Sequence, residues 1–141
     1  MNREQLAERQ HEVLAALLRH EVPAGFDPRS ARLTSRALTV KRRSEVLLAA
    51  PELRDLPDVA ARFDAWAAAH PREGCGHDDA LSFLVGTTGP LPEPLASIRA
   101  IERVYRREAI WAVDRRPGRP RWVVACGSRV LHLGRRSPAT A

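Results

Sequence analysis

The chain has almost no lysine, few aromatic residues and little cysteine. Lys41 stands alone against twenty-two arginines. Three Phe, three Trp and one Tyr in 141 residues leave any core to aliphatic side chains. Cys75 and Cys126 are too few for a disulfide-stapled scaffold, and two free thiols are expected. No apolar run approaches the ~18 residues of a membrane span, which excludes a membrane-crossing helix. The residues after Met1 are mixed polar and apolar, with no leader-like apolar stretch, so cytoplasmic location is the expectation.

With lysine nearly absent and alanine abundant, the arginine count reflects a composition bias more than a selected signal. The distribution of charge survives that discount. Residues 1–98 hold twelve basic and fourteen acidic side chains, whereas residues 99–141 hold eleven arginines against Glu102, Glu108 and Asp114. A basic tail after a nearly neutral region suits an anionic partner, and equally a solvated face.

Hydrophobic spacing predicts a mainly α chain with a small C-terminal antiparallel β meander. Residues 3–21 read as a helix capped by Asn2 and Gln5, with Leu6, Val13, Leu14, Leu17 and Leu18 as its apolar stripe. Asp27-Pro28 starts a short helix to 32, followed by one over about 35–49, because Thr34, Ser35 and Thr39 lower helical propensity between them. The apolar set there is Leu33, Ala37, Val40, Val46 and Leu47. Pro51 opens a short turn of helix, and Pro57 a helix ending at His70-Pro71. A short helix over 80–85 follows the loop at 71–76, and one over 95–108 follows the Pro/Gly-rich segment 86–94. The period then changes: Ile110–Val113, Arg121–Cys126 and Arg129–Leu133 read as strands, joined by a turn at Pro117-Gly118 and a type II′ hairpin at Gly127-Ser128. The expected division is a helical domain over 1–88, a helix plus meander over 95–135 packed on it, and a frayed tail over 136–141. There is no internal repeat.

Pro23, Gly25-Phe26-Asp27, the basic helix with Arg42-Arg43, Ala50-Pro51 and Phe63, Trp66-Ala67, His70-Pro71 carry a resemblance. Over residues 11–85 the chain is similar to small actinobacterial proteins related to putative DNA-binding domains. Such proteins are encoded beside multinuclear non-haem iron-dependent oxidases. The resemblance implies a partner that helps present a peptide substrate for modification.

Three segments are site candidates. Arg115 to Arg121 contains Gly118-Arg119-Pro120, which resembles the minor-groove core of an AT-hook, although Pro117 replaces the usual arginine. Arg116, Arg119 and Arg121 would be its nucleic-acid contacts, while the plainer reading is a solvated hairpin turn. The basic helix places Arg32, Arg36 and Arg43 on one face, widened by Lys41 and Arg42. With Arg103 and Arg107 on the later helix, these are the candidate partner-binding residues, against the alternative of a solvated surface. Cys75, His77, Asp78 and Asp79 include metal-ligating types, but one Cys and one His without a second pair is incomplete for structural zinc. The expectation is a helix-capping loop with no metal, cofactor or catalytic set. Trp111 and Trp122 are read as core residues, or as the apolar centre of a partner patch if exposed. The reading is a non-enzymatic accessory protein for a protein or peptide partner, with DNA binding as the alternative and no membrane association.

Overall fold

The computed structural model describes residues 2–118 and 121–134. Five α-helices precede three strands: α1 (Arg3–Leu18), α2 (Pro28–Ala49), α3 (Val59–Ala69), α4 (Gly76–Gly86), α5 (Leu95–Tyr105), β1 (Trp111–Asp114), β2 (Arg121–Cys126) and β3 (Arg129–Leu133). A 3-10 turn over Pro51–Asp55 links α2 to α3. The protein is therefore mainly helical with a C-terminal antiparallel meander, as its periodicity predicts. Among the described residues no helix is long and apolar enough to cross a membrane. The frayed tail expected at 136–141 lies outside the described residues.

The starts of α1 and α2 follow their capping chemistry. Asn2 Oδ1 accepts the Gln5 N–H at 2.8 Å, and the Asn2 N–H donates to Gln5 Oε1 at 2.9 Å. Asp27 accepts the Ser30 N–H at 2.7 Å, with Pro28 at the first helical position.

The expected break in α2 does not occur. Thr34 and Thr39 donate their hydroxyls to the carbonyls of Ser30 and Ser35, at 3.0 and 3.1 Å, and so stay within the helix. The buried face of α2 also differs from the apolar set read from sequence. Ala31, Ser35, Thr39, Arg42 and Val46 face inward, whereas Leu33 and Val40 are exposed. Small residues and self-bonded hydroxyls allow close packing, and Arg42 has a buried partner. The α1 stripe is likewise partial: Leu17 is buried, while Leu6 and Leu14 are exposed.

The chain divides into two compact units, with the boundary inside α4. The first holds α1, α2, α3 and α4 as far as Ala80, around Leu17, Val46, Phe63 and Ala67. Gly76 is required here, because a Cβ on it would lie 2.9 Å from the Glu45 carbonyl oxygen.

The second unit holds Glu52–Leu56 and the described chain from Leu81 on. Its sheet has the order β1-β2-β3, antiparallel throughout. Val104 of α5 packs with Ala112 and Val123 beneath the sheet, surrounded by Ala100, Ile101, Ala109, Ala125 and Val130. Helix α5 stops short of the predicted 108, because Arg107 takes φ +63 and the N–H groups of Glu108 and Ala109 return to the Arg103 carbonyl. Gly127 takes φ +56 while Ser128 is not among the positive-φ residues, in keeping with a type II′ hairpin.

Candidate partner-binding surfaces

The two faces of the sheet differ in size of side chain. Ala112, Val123 and Ala125 point toward α5, where small residues allow close approach. The opposite face carries Trp111 and Val113 from β1, Trp122 and Val124 from β2, and Leu131 and Leu133 from β3, as the pairing register dictates. Trp111 is 57% exposed and Trp122 51%, with ring centroids 5.2 Å apart. The expectation that both pack in the core is thus corrected. The inward positions are taken by alanine and valine, and strand alternation sends the two indoles outward.

The edge of β1 has a definite hydrogen-bonding phase. The Ala125 N–H donates to the Ile110 carbonyl at 2.8 Å, which makes Ile110 and Ala125 a bonded pair. With alternation, Ala112 and Asp114 face β2, and the backbone N–H and C=O of Trp111 and Val113 point to the open side. Along that side runs a groove of about 260 Å³, lined by Glu93, Ala96, Ala100, Trp111, Val113 and Arg115. Ala96 and Ala100, one turn apart on α5, leave the room. At the end of β1, the Arg115 N–H donates to Ser97 Oγ at 2.9 Å.

Asp114 closes the same strand from within. Its side chain is fully buried, and Arg116 binds both carboxylate oxygens at 2.8 Å, while Arg121 Nε lies 3.6 Å away. The hydrogen bond from Arg116 holds the Asp114 carboxyl below its ordinary range against the cost of burial. The same bond raises the Arg116 guanidinium. Arg116 is therefore tied to an acid of its own chain, and Arg119 lies outside the described residues.

The predicted basic face of α2 splits into two parts. Arg32 and Arg36 are exposed in its N-terminal half. Arg43 is ion-paired to Asp64. Arg42 does not widen the face, which corrects the sequence reading: it is buried and bidentate to Asp79, with Nε–Oδ2 2.7 Å and Nη2–Oδ1 2.8 Å. Its remaining Nη1 donates to the His70 carbonyl at 2.8 Å, and the guanidinium lies 5.4 Å from the Trp66 ring centroid. On α5, Arg103 lies 3.5 Å from Glu108, and Arg107 donates to the Arg129 carbonyl at 3.3 Å.

Residues 76–79, expected as part of a loop before a helix over 80–85, form the first turn of α4, and its acids have structural partners. Asp78 accepts the Cys75 N–H at 2.9 Å, which holds its carboxyl below the usual range, and Asp79 is bound to Arg42. Cys75 and Cys126 are free, exposed thiols. Among the described residues no group of three or more His, Cys, Asp or Glu is arranged to hold a metal ion.

Sequence reasoning missed the Arg42–Asp79 pair and the orientation of the indoles. Only the acid at an alternating inward position in Trp111-Ala112-Val113-Asp114, with arginines close behind, hinted at the Asp114 cluster.

These features define a class: a small helical domain followed by an antiparallel meander with an open edge strand and an apolar outer face. The chain belongs to the SCO6045-like, C-terminal domain family, whose sequence model matches residues 7–88. The match covers α1 to α4, and the meander lies beyond it. No curated protein and no solved structure matches the chain.

Proposed function

We propose that this protein is a non-enzymatic accessory protein that holds an extended peptide segment of a partner. The segment joins the sheet at the open edge of β1. The observation that carries the reading is the outward phase of the Trp111 and Val113 backbone groups beside the α5 groove. Main-chain bonds at a strand edge supply affinity, and alternate side chains supply specificity. The exposed indoles add an apolar centre of the sort that partner surfaces use. In the setting implied by the sequence resemblance, the bound segment belongs to the substrate of an iron-dependent peptide-modifying oxidase. Arg32, Arg36, Arg43, Arg103 and Arg107 then contribute as charged surroundings and not as the centre of the contact.

DNA binding is the second reading, favoured by the exposed arginines of α2. It has less support at the Arg-rich turn, where Asp114 already engages Arg116.

A display selection of random peptides against the full chain tests the proposal. The expected outcome is peptides with alternating apolar residues that blue-shift tryptophan emission on binding. Changing Trp111 and Trp122 to Ala should weaken that binding by about 30-fold or more. Selection of no saturable binder, or of binders indifferent to both changes, overturns it.

A further inference from the structure

A second concavity lies on the first unit and does not depend on the peptide reading. A cleft of about 550 Å³ is lined by His20, Arg29, Arg32, Leu33, Ser35 and Arg36. Its volume lies within the range of small-molecule sites. Arg29, Arg32 and Arg36 sit at helical spacings of three and four, so they share one face over roughly 10 Å of axis. Other arginines of this unit are held by acids: Arg9 by Glu12, Arg19 by Glu21, Arg42 by Asp79, Arg43 by Asp64 and Arg72 by Glu45. Arg29, Arg32 and Arg36 form no ion pair or side-chain hydrogen bond among the described residues. Asp27 is an acid near them: its carboxylate caps the Ser30 N–H and also attracts Arg32 electrostatically, which leaves a net excess of positive charge on the three guanidiniums.

His20 is fixed at the margin of the cleft. It takes φ +60, and its Nε2 lies 3.2 Å from Thr39 Oγ1. Thr39 donates its own proton to the Ser35 carbonyl, so Nε2 is the donor toward Thr39. Leu33, 60% exposed, supplies an apolar wall beside the guanidiniums.

We infer that this cleft binds a small organic phosphate, its head on Arg29, Arg32 and Arg36 and its apolar body on Leu33. A carboxylate has two oxygens and is satisfied by one arginine fork. Three guanidiniums match the three oxygens and near-double charge of a phosphate monoester. A nucleic-acid track would need several charges further along α2, but beyond Arg36 the exposed basic residue there is Lys41 alone, since Arg42 and Arg43 are engaged by Asp79 and Asp64.

Phenyl phosphate, benzoate and inorganic phosphate, titrated separately into the full chain at physiological salt, test the inference. Phenyl phosphate shares its ring with benzoate and its head with inorganic phosphate. It should bind at least tenfold tighter than either, with amide shift changes confined to His20 and residues 29–36. The R32A/R36A variant should weaken it at least tenfold, and R103A/R107A should leave it within twofold. Equal binding of benzoate, equal loss in R103A/R107A, or displacement by submicromolar mixed-sequence duplex overturns the inference. Should R32A/R36A fail to fold, the shift map on the wild-type chain decides, and changes scattered outside the cleft count against it.

Discussion

Arg42 and Asp79 form a buried, bidentate ion pair joining the middle of α2 to the first turn of α4. The same guanidinium donates to the His70 carbonyl just past α3, so one side chain ties three helices of the first unit. Removing one partner leaves the other charge buried. Arg42→Ala should cost about 3–5 kcal/mol, read as a lower urea midpoint. Replacing both partners with apolar residues of similar volume should cost far less. A single variant as stable as the wild-type chain contradicts this role.

Asp114 gives stability a pH dependence of defined sign. Arg116 holds its folded carboxyl below the unfolded value, which is about 3.9. The unfolded chain therefore binds the proton first as pH falls. The contribution of Asp114 is present above pH about 4 and is lost as pH falls through the folded value. Glu21, Asp27 and Asp78 are shifted the same way and add to the slope from exposed positions. Urea midpoints measured between pH 7 and pH 3 should fall, and Asp114→Asn should flatten part of that fall. An unchanged slope in the variant contradicts the assignment.

Proline separates the two sides of β1. Val113→Pro removes an N–H that points to the open edge, so the sheet should keep its thermal midpoint while peptide binding is lost. Ala112→Pro removes an N–H bonded to β2 and should destabilise by about 1–3 kcal/mol through the carbonyl left unpaired. Equal effects of the two substitutions on stability would mean that the phase of the strand is reversed.

Truncating the exposed indoles should affect partner and fold unequally. Trp111→Ala with Trp122→Ala should lower the urea midpoint by less than truncating two core tryptophans, which cost about 3–5 kcal/mol each, since both rings are about half exposed. Binding of a selected peptide should weaken by about 30-fold or more, the scale of a central aromatic anchor. A large loss of stability instead would return both rings to the core.

The sequence made some of this legible because the signals are local. Asn2 with Gln5, Asp27 with Pro28, and Gly127 at the hairpin each act within a few residues, and all three stand where they were read. The period change at Ile110 marks the start of the meander for the same reason. The face of α2 was not legible, since hydrophobicity favoured Leu33 and Val40, and the partner that brings Arg42 inside lies on another helix. Trp111 and Trp122 read as core residues or, if exposed, as a partner patch, and only the folded chain decides between them, because the space beneath the sheet is set by Val104 and Ala100 of α5. Those contacts, like the phase of the β1 edge, exist only after the chain has folded.

Amide hydrogen exchange at Trp111, Ala112, Val113 and Asp114, with and without a display-selected peptide, is the most direct test of peptide capture at β1. In the free chain the Ala112 and Asp114 amides should exchange slowly and those of Trp111 and Val113 quickly, because only the first two face β2. On saturation with peptide, the Trp111 and Val113 amides should become protected by at least tenfold. Fast exchange at those two amides in the presence of saturating peptide would contradict strand addition, and slow exchange there in the free chain would show that the edge is already occupied.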